Sequence, residues 1–218
     1  MTSKFSTRDK FYIFLSTIFV ISIVIGNLIF KKFVDIKFPF IDHTFQVSAG
    51  LCFFPLTFVV ADAISEIYGR GKANFVVFMG LVAGLFVMGV ISLALYLPAT
   101  SWSDVSNKEF ELIFGTYDIM FFVSILASFV SQLLDVSLFL WIRSITHTKY
   151  LWLRNNVSTI ISQFLDTFIV ILAVHYFEIF PIDDFWYIFK NSFYFKVIFA
   201  LLTTPIVYLL VYVARAIR

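Results

Sequence analysis

The sequence predicts an all-α, polytopic membrane protein with six transmembrane helices. Hydrophobic residues fill 61% of the 218 positions and charged residues only 14%, more apolar side chain than a soluble domain of this length has core to bury. The apolar residues also gather into runs of roughly 20, the length that crosses a bilayer as a helix. Six such runs lie at about 11–30, 46–66, 73–97, 118–142, 156–178 and 192–214. The connections leave no room for a soluble domain, so residues 1–218 are read as one integral membrane domain. The thirty phenylalanines suit lipid contact and interhelical packing.

The first run follows a short basic segment (Lys4, Arg8, Lys10) that resembles a signal peptide's opening. It is longer than a signal peptide's apolar stretch and ends without a small-x-small cleavage pattern, so a retained helix is expected. Gly26 and Asn27 stand near its far end, where Asn27 suits helix packing as well as ligand contact. In the second run Pro55 is expected to free a backbone carbonyl. Asp62 and Glu66, four apart, share one helix face with Ser65 beside them. Tyr68-Gly69-Arg70-Gly71-Lys72 then reads as a tight basic turn, with Arg70 placed to balance Glu66. Cys52 is the only cysteine, which excludes an intramolecular disulfide and suggests no thiolate metal site.

The fourth and fifth runs carry the most informative pattern. Ser131-Gln132-Leu133-Leu134-Asp135 returns as Ser162-Gln163-Phe164-Leu165-Asp166. Each lies in a stretch apolar enough to span, where a carboxylate costs several kcal/mol unless it is paired or faces water or ligand. Ser and Gln alone serve equally well as hydrogen-bonding glue between helices, but isolated acids are expensive glue. Ser124, Ser128, Gln132 and Asp135 form one polar edge, and Asn156, Thr159, Gln163 and Asp166 form another. Consecutive spans run in opposite directions, so the two strings meet head to tail, as in transporters built from inverted repeats around a central site.

Orientation follows the lysines and arginines near the span ends. Ten lie on the side of the termini: Lys4, Arg8, Lys10, Arg70, Lys72, Arg143, Lys149, Arg154, Arg215 and Arg218. Six fall on the other: Lys31, Lys32, Lys37, Lys108, Lys190 and Lys196. There the third loop is acidic, with Asp104, Glu109, Glu111 and Asp118. Both termini are therefore expected in the cytoplasm.

Several chemistries lack support. The chain has no Gly-rich phosphate loop, no HExxH and no paired cysteines, and no cofactor or metal site is expected. His43 and His147 fall in loops and His175 near a span's end, which leaves a Ser-His hydrolytic pair hard to assemble. Two intramembrane aspartates suggest an aspartyl-protease dyad as the enzymatic alternative, but the Gly-rich surroundings of such a dyad are missing. No basic patch suggests nucleic-acid binding. A carrier, not an enzyme, is expected.

Phe54-Pro55, then Asp62 with Glu66-Ile67-Tyr68-Gly69, then Ser131-Gln132-Leu133-Leu134-Asp135 with Phe139 and Arg143, are followed by Trp152, Ser158-Thr159, Asp166-Thr167, Lys196 and Pro205. In order and spacing these resemble the vitamin uptake / queuosine precursor transporter family along spans two to six. The resemblance implies a multi-pass protein of the bacterial inner membrane that imports 7-deazaguanines, either queuosine precursors or the free base queuine, for tRNA modification. It also implies a plan similar to the substrate-binding subunits of energy-coupling-factor transporters. The first span lacks the Ala-x-x-x-Ala pattern by which such subunits are thought to dock their energising partner. A solitary carrier is therefore favoured over a subunit of an ATP-driven vitamin or heterocycle importer. Besides substrate and lipid bilayer, a homo-oligomer or an energising partner is compatible with the pattern.

The implied ligand fits the polar stripes. A 7-deazaguanine presents ring N–H and exocyclic NH2 donors side by side, which Asp135 or Asp166 suits as a bidentate acceptor. Gln132, Gln163 and Asn156 both donate and accept. Asp62, Glu66 and Asn27 complete the expected substrate-binding set, with a spare carboxylate as counter-charge for an aminomethyl substituent.

Overall fold

Each apolar run forms a helix in the computed structural model, which describes residues 5–115, 117–147, 149–177 and 185–216, without the side chains of 117 and 118. Lys4, Arg218, the Asp118 side chain and the last residue of the expected fifth span lie outside this description. The elements are α1 (Thr7–Leu28), β1 (Phe33–Lys37), β2 (Thr44–Ser48), a 3-10 turn (Ala49–Cys52), α2 (Phe54–Tyr68) and α3 (Arg70–Tyr96). A short α4 (Asn107–Phe114) precedes α5 (Tyr117–Thr146), α6 (Leu151–Tyr176) and α7 (Phe185–Ala216). Six helical segments among the described residues are long and apolar enough to cross a membrane, and the protein is multi-pass.

Local sequence sets the element ends. Ser6 accepts from the Asp9 backbone while the Asp9 carboxylate accepts from Ser6, a reciprocal cap that starts α1. Ser106 and Glu109 do the same for α4. Gly69 separates α2 from α3 with a φ of 82°, a conformation glycine adopts without steric cost. Proline at 205 is tolerated inside α7, although it removes the donor that would meet the carbonyl of Leu201.

Two expectations need correction. The second span was placed from residue 46, but residues 46–48 complete β2 and the long helix starts at Phe54. The reason is visible in the alternation of Phe45 and Val47 with Thr44, Gln46 and Ser48, a strand period. Phe45 and Val47 bury their side chains against Phe195 of α7, and β2 pairs antiparallel with β1 from Phe33–Ser48 to Lys37–Thr44. Pro55 accordingly lies in the first turn of α2, where no intrahelical donor is lost, and it does not break a span.

Helix α2 is the axis of the bundle, in contact with α1, α3, α5, α6 and α7. Its run from Thr57 to Ser65 is entirely buried. Leu15, Phe19 and Ile23 of α1 and Ala73, Val76 and Val77 of α3 pack with Ala61 and Ile64 on one side. Val207 and Val211 of α7 pack with Val59 and Phe139 on the other. Asp62 therefore sits at the centre of the protein. The β-hairpin closes one end, held to α7 by Asn191, whose Nδ2 donates to the Gln46 carbonyl at 2.6 Å.

Candidate functional site

The polar edges of α5 and α6 face each other, and their residues fall into three zones. The first borders a cavity of about 440 Å³ beside the hairpin, within the size range of small-molecule sites. Its wall is largely apolar, with Phe30, Phe33, Phe54 and Phe121 among the lining rings. Asp166 and Lys196 give it a charged pair: Lys196 Nζ donates to Asp166 Oδ2 at 2.7 Å and to Thr167 Oγ1 at 3.0 Å. Both side chains are 3% exposed. The ammonium also lies 5.1 Å from the centre of the Phe54 ring, a cation–π contact. Ser131 donates to the other Asp166 oxygen at 3.4 Å, so the start of the first string touches the end of the second, head to tail.

Asn27 lies on the same cavity, donating to the Ile23 carbonyl at 2.8 Å and accepting from Ser124 at 2.7 Å. There the 3-10 turn crosses α1 so closely that a Cβ on Gly50 would collide with the Gly26 carbonyl. Glycine at 50 is thus what lets the turn form part of the cavity wall.

The second zone is deeper and does not line the cavity. Asp62 lies against Asp135 and Thr159, and Asp135 lies against Ser158 and Thr159. Both carboxylates are fully buried, and among the described residues none of their oxygens has a partner in hydrogen-bond geometry. Gln132 donates to Thr57 at 2.7 Å. Gln163 is buried with neither amide atom partnered among the described residues, and the same holds for the Ser128 and Ser162 hydroxyls. Buried polar groups are rarely left so, and these are concentrated along one helix seam.

The third zone lies at the end of α2, where Glu66 meets Arg154 at 2.7 Å, Arg143 at 3.6 Å and Arg215 at 4.0 Å. The Arg154 guanidinium is 1% exposed and stacks 5.3 Å from the Phe139 ring centre. Arg70 is not the partner expected for Glu66. It begins α3 beyond the Gly69 turn, exposed, and reaches Ser137 at 3.4 Å. Asn156 is separate again, donating to the Trp152 carbonyl at 2.8 Å and accepting from Thr204 of α7 at 3.1 Å.

Of the expected binding residues, the fold brings Asp166 and Asn27 to the cavity, places Asp62, Asp135, Gln132 and Gln163 in the seam, and leaves Glu66 and Asn156 towards the other end. Lys196 was counted among the basic residues near the span ends, but it lies well inside α7, one member of a buried ion pair. The readable signal was a lone lysine in an apolar run, which by default points to a functional site. Arg154 was likewise counted near a span end.

Residues 48–210 match the model of a protein family described as "Putative vitamin uptake transporter". A Bacillus subtilis (strain 168) protein named "Probable queuosine precursor transporter" is 34% identical over 220 residues, spanning 92% of this chain and 93% of its own length. No solved structure matches the chain. The matched region contains Asp62, Asp135, Asp166 and Lys196, and the extent of both matches establishes that the chain belongs to this family of vitamin uptake transporters.

Proposed function

We propose that this protein imports 7-deazaguanines, queuosine precursors or free queuine, through a bacterial inner membrane, with both termini in the cytoplasm. The observation that carries this reading is the Asp166–Lys196 pair on the wall of an otherwise apolar cavity. The recognition edge of a 7-deazaguanine offers a ring carbonyl beside an N–H and an NH2. A carboxylate accepts the two donors, and an adjacent ammonium, with three N–H groups, donates to the carbonyl. Asp166 and Lys196 match that pattern in order, and Asn27 adds an amide on the same cavity. Phe54, under the ammonium, is the ring best placed to stack on the base. The relative named for queuosine precursor transport supports the same substrate class.

The test is uptake in cells that cannot make queuosine. Cells expressing this chain and fed queuine or its aminomethyl precursor should regain queuosine in their tRNA. Cells expressing Asp166→Asn at equal membrane abundance should not. Restoration by the variant at the wild-type level would refute the site. Copurification of ATPase subunits would favour the alternative of a substrate-binding subunit.

A further inference from the structure

We infer that Asp62 and Asp135 form a proton site, and that the carrier moves base and proton inward together. The inference adds energy coupling to the transport reading and rests on that reading for the cargo, though not for the proton site itself.

Among the described residues no cation forms an ion pair with either acid. Asp62 on α2 and Asp135 on α5 are in contact and fully buried. Arg154 of α6 is the cation that acts on Asp62, and its guanidinium is already engaged by Glu66 at 2.7 Å. From α6 the pair also meets the hydroxyls of Ser158 and Thr159. The faces that α1, α3 and α7 turn to α2 are apolar, through Leu15 and Phe19, Val76 and Val77, and Val207. Lys196 of α7 is held by Asp166. Two neighbouring carboxylates in such surroundings keep a proton on one of them, because like charges cannot both be carried there.

The pair also stands between two cavities. On one side Ser131, one helical turn from Asp135, reaches Asp166 on the cavity wall. On the other, Asp62 is one turn from Glu66, which borders a second cavity of about 270 Å³ with Arg8, Arg143 and Arg215. The unpartnered hydroxyl of Ser162 and amide of Gln163 lie along α6 between these points. Chains of acids and polar groups across a bundle are how membrane carriers pass protons. In each cycle one proton binds an aspartate oxygen from the outer cavity, stays while the base is enclosed, and leaves towards Glu66. No bond other than O–H forms or breaks.

Two measurements test this. Infrared spectra of the purified full-length protein at neutral pH should contain a protonated-carboxyl stretch that is lost in Asp62→Asn and in Asp135→Asn. Absence of that band in the wild type, or its survival in both variants, overturns the proton site whatever the protein carries. In proteoliposomes, an inside-alkaline gradient of one pH unit should drive queuine accumulation up to about tenfold at one proton per base. In both variants the ratio of gradient-driven to gradient-free uptake should fall to one. Wild-type uptake indifferent to the gradient overturns the coupling. A wild type that shows the carboxyl band but neither binds nor carries queuine supports the proton site and sinks the proposed cargo.

Discussion

Lys196→Met removes the ammonium of the cavity pair while keeping an unbranched chain of similar length. At 2.7 Å the attraction is about 6 kcal/mol at an effective dielectric of about 20. Desolvation of both groups offsets much of this, but removing one partner strands the other, a loss of about 3–5 kcal/mol in buried pairs. Asp166 would retain only the 3.4 Å contact from Ser131 among its hydrogen bonds here. Equilibrium unfolding in mixed micelles should therefore show Lys196→Met destabilised by that amount. The double variant Asp166→Leu/Lys196→Met, with no stranded charge, should return to within about 1–2 kcal/mol of wild type or exceed it. Uptake should be lost in both. A single variant as stable as wild type, or a double variant that transports, would refute the reasoning.

Glu66→Gln should cost about 3–5 kcal/mol of stability by stranding buried Arg154, whereas Arg215→Ala, at an arginine 72% exposed, should cost at most about 1 kcal/mol. Equal losses in the same unfolding assay would contradict the ranking. Gly50→Ala forces a Cβ into the Gly26 carbonyl and should cost about 1–3 kcal/mol together with uptake. Gly71→Ala, with nothing within 4 Å of its new atom, should be accepted by both measures. For orientation, moving both Lys196 and Arg154 from the span ends into helices leaves nine basic residues beside the termini against five, the same excess of four. A carboxyl-terminal fluorescent fusion should glow and a periplasmic reporter there stay silent; the reverse would overturn cytoplasmic termini.

The helical spans were legible because a membrane leaves a helix few choices: each run of apolar residues must satisfy its own backbone. The hairpin was not. Val34, Ile36, Phe45 and Val47 alternate as strand residues do, but 46–48 adjoin an apolar run, and the helix start is set by the turn at Ala49–Cys52. Within the site, helical spacing placed Gln132, Asp135, Gln163 and Asp166 on inward faces, all buried in the structure. Spacing on one helix says nothing of what lies opposite, so it did not distinguish Asp166, which meets Lys196, from Asp135, which meets Asp62. Arg70 was matched to Glu66 by nearness in sequence. Arg154 reaches Glu66 because α6 begins beside the end of α2, a contact made across 88 positions of chain that no local pattern encodes.

The central claim is that the Asp166–Lys196 pair reads the carbonyl and donor edge of a 7-deazaguanine, and competition against labelled queuine on the purified protein tests it most directly. Unlabelled queuine and its precursors should compete strongly. Guanine shares the edge but carries an acceptor nitrogen where the deaza carbon bears its substituent, and should compete weakly. Adenine presents neither the ring N–H nor the carbonyl, leaving buried groups unmatched, a mismatch that in sites of this kind reaches discrimination on the order of 10⁴. It should not compete at all, and adenine displacing queuine as well as queuine itself would contradict the account.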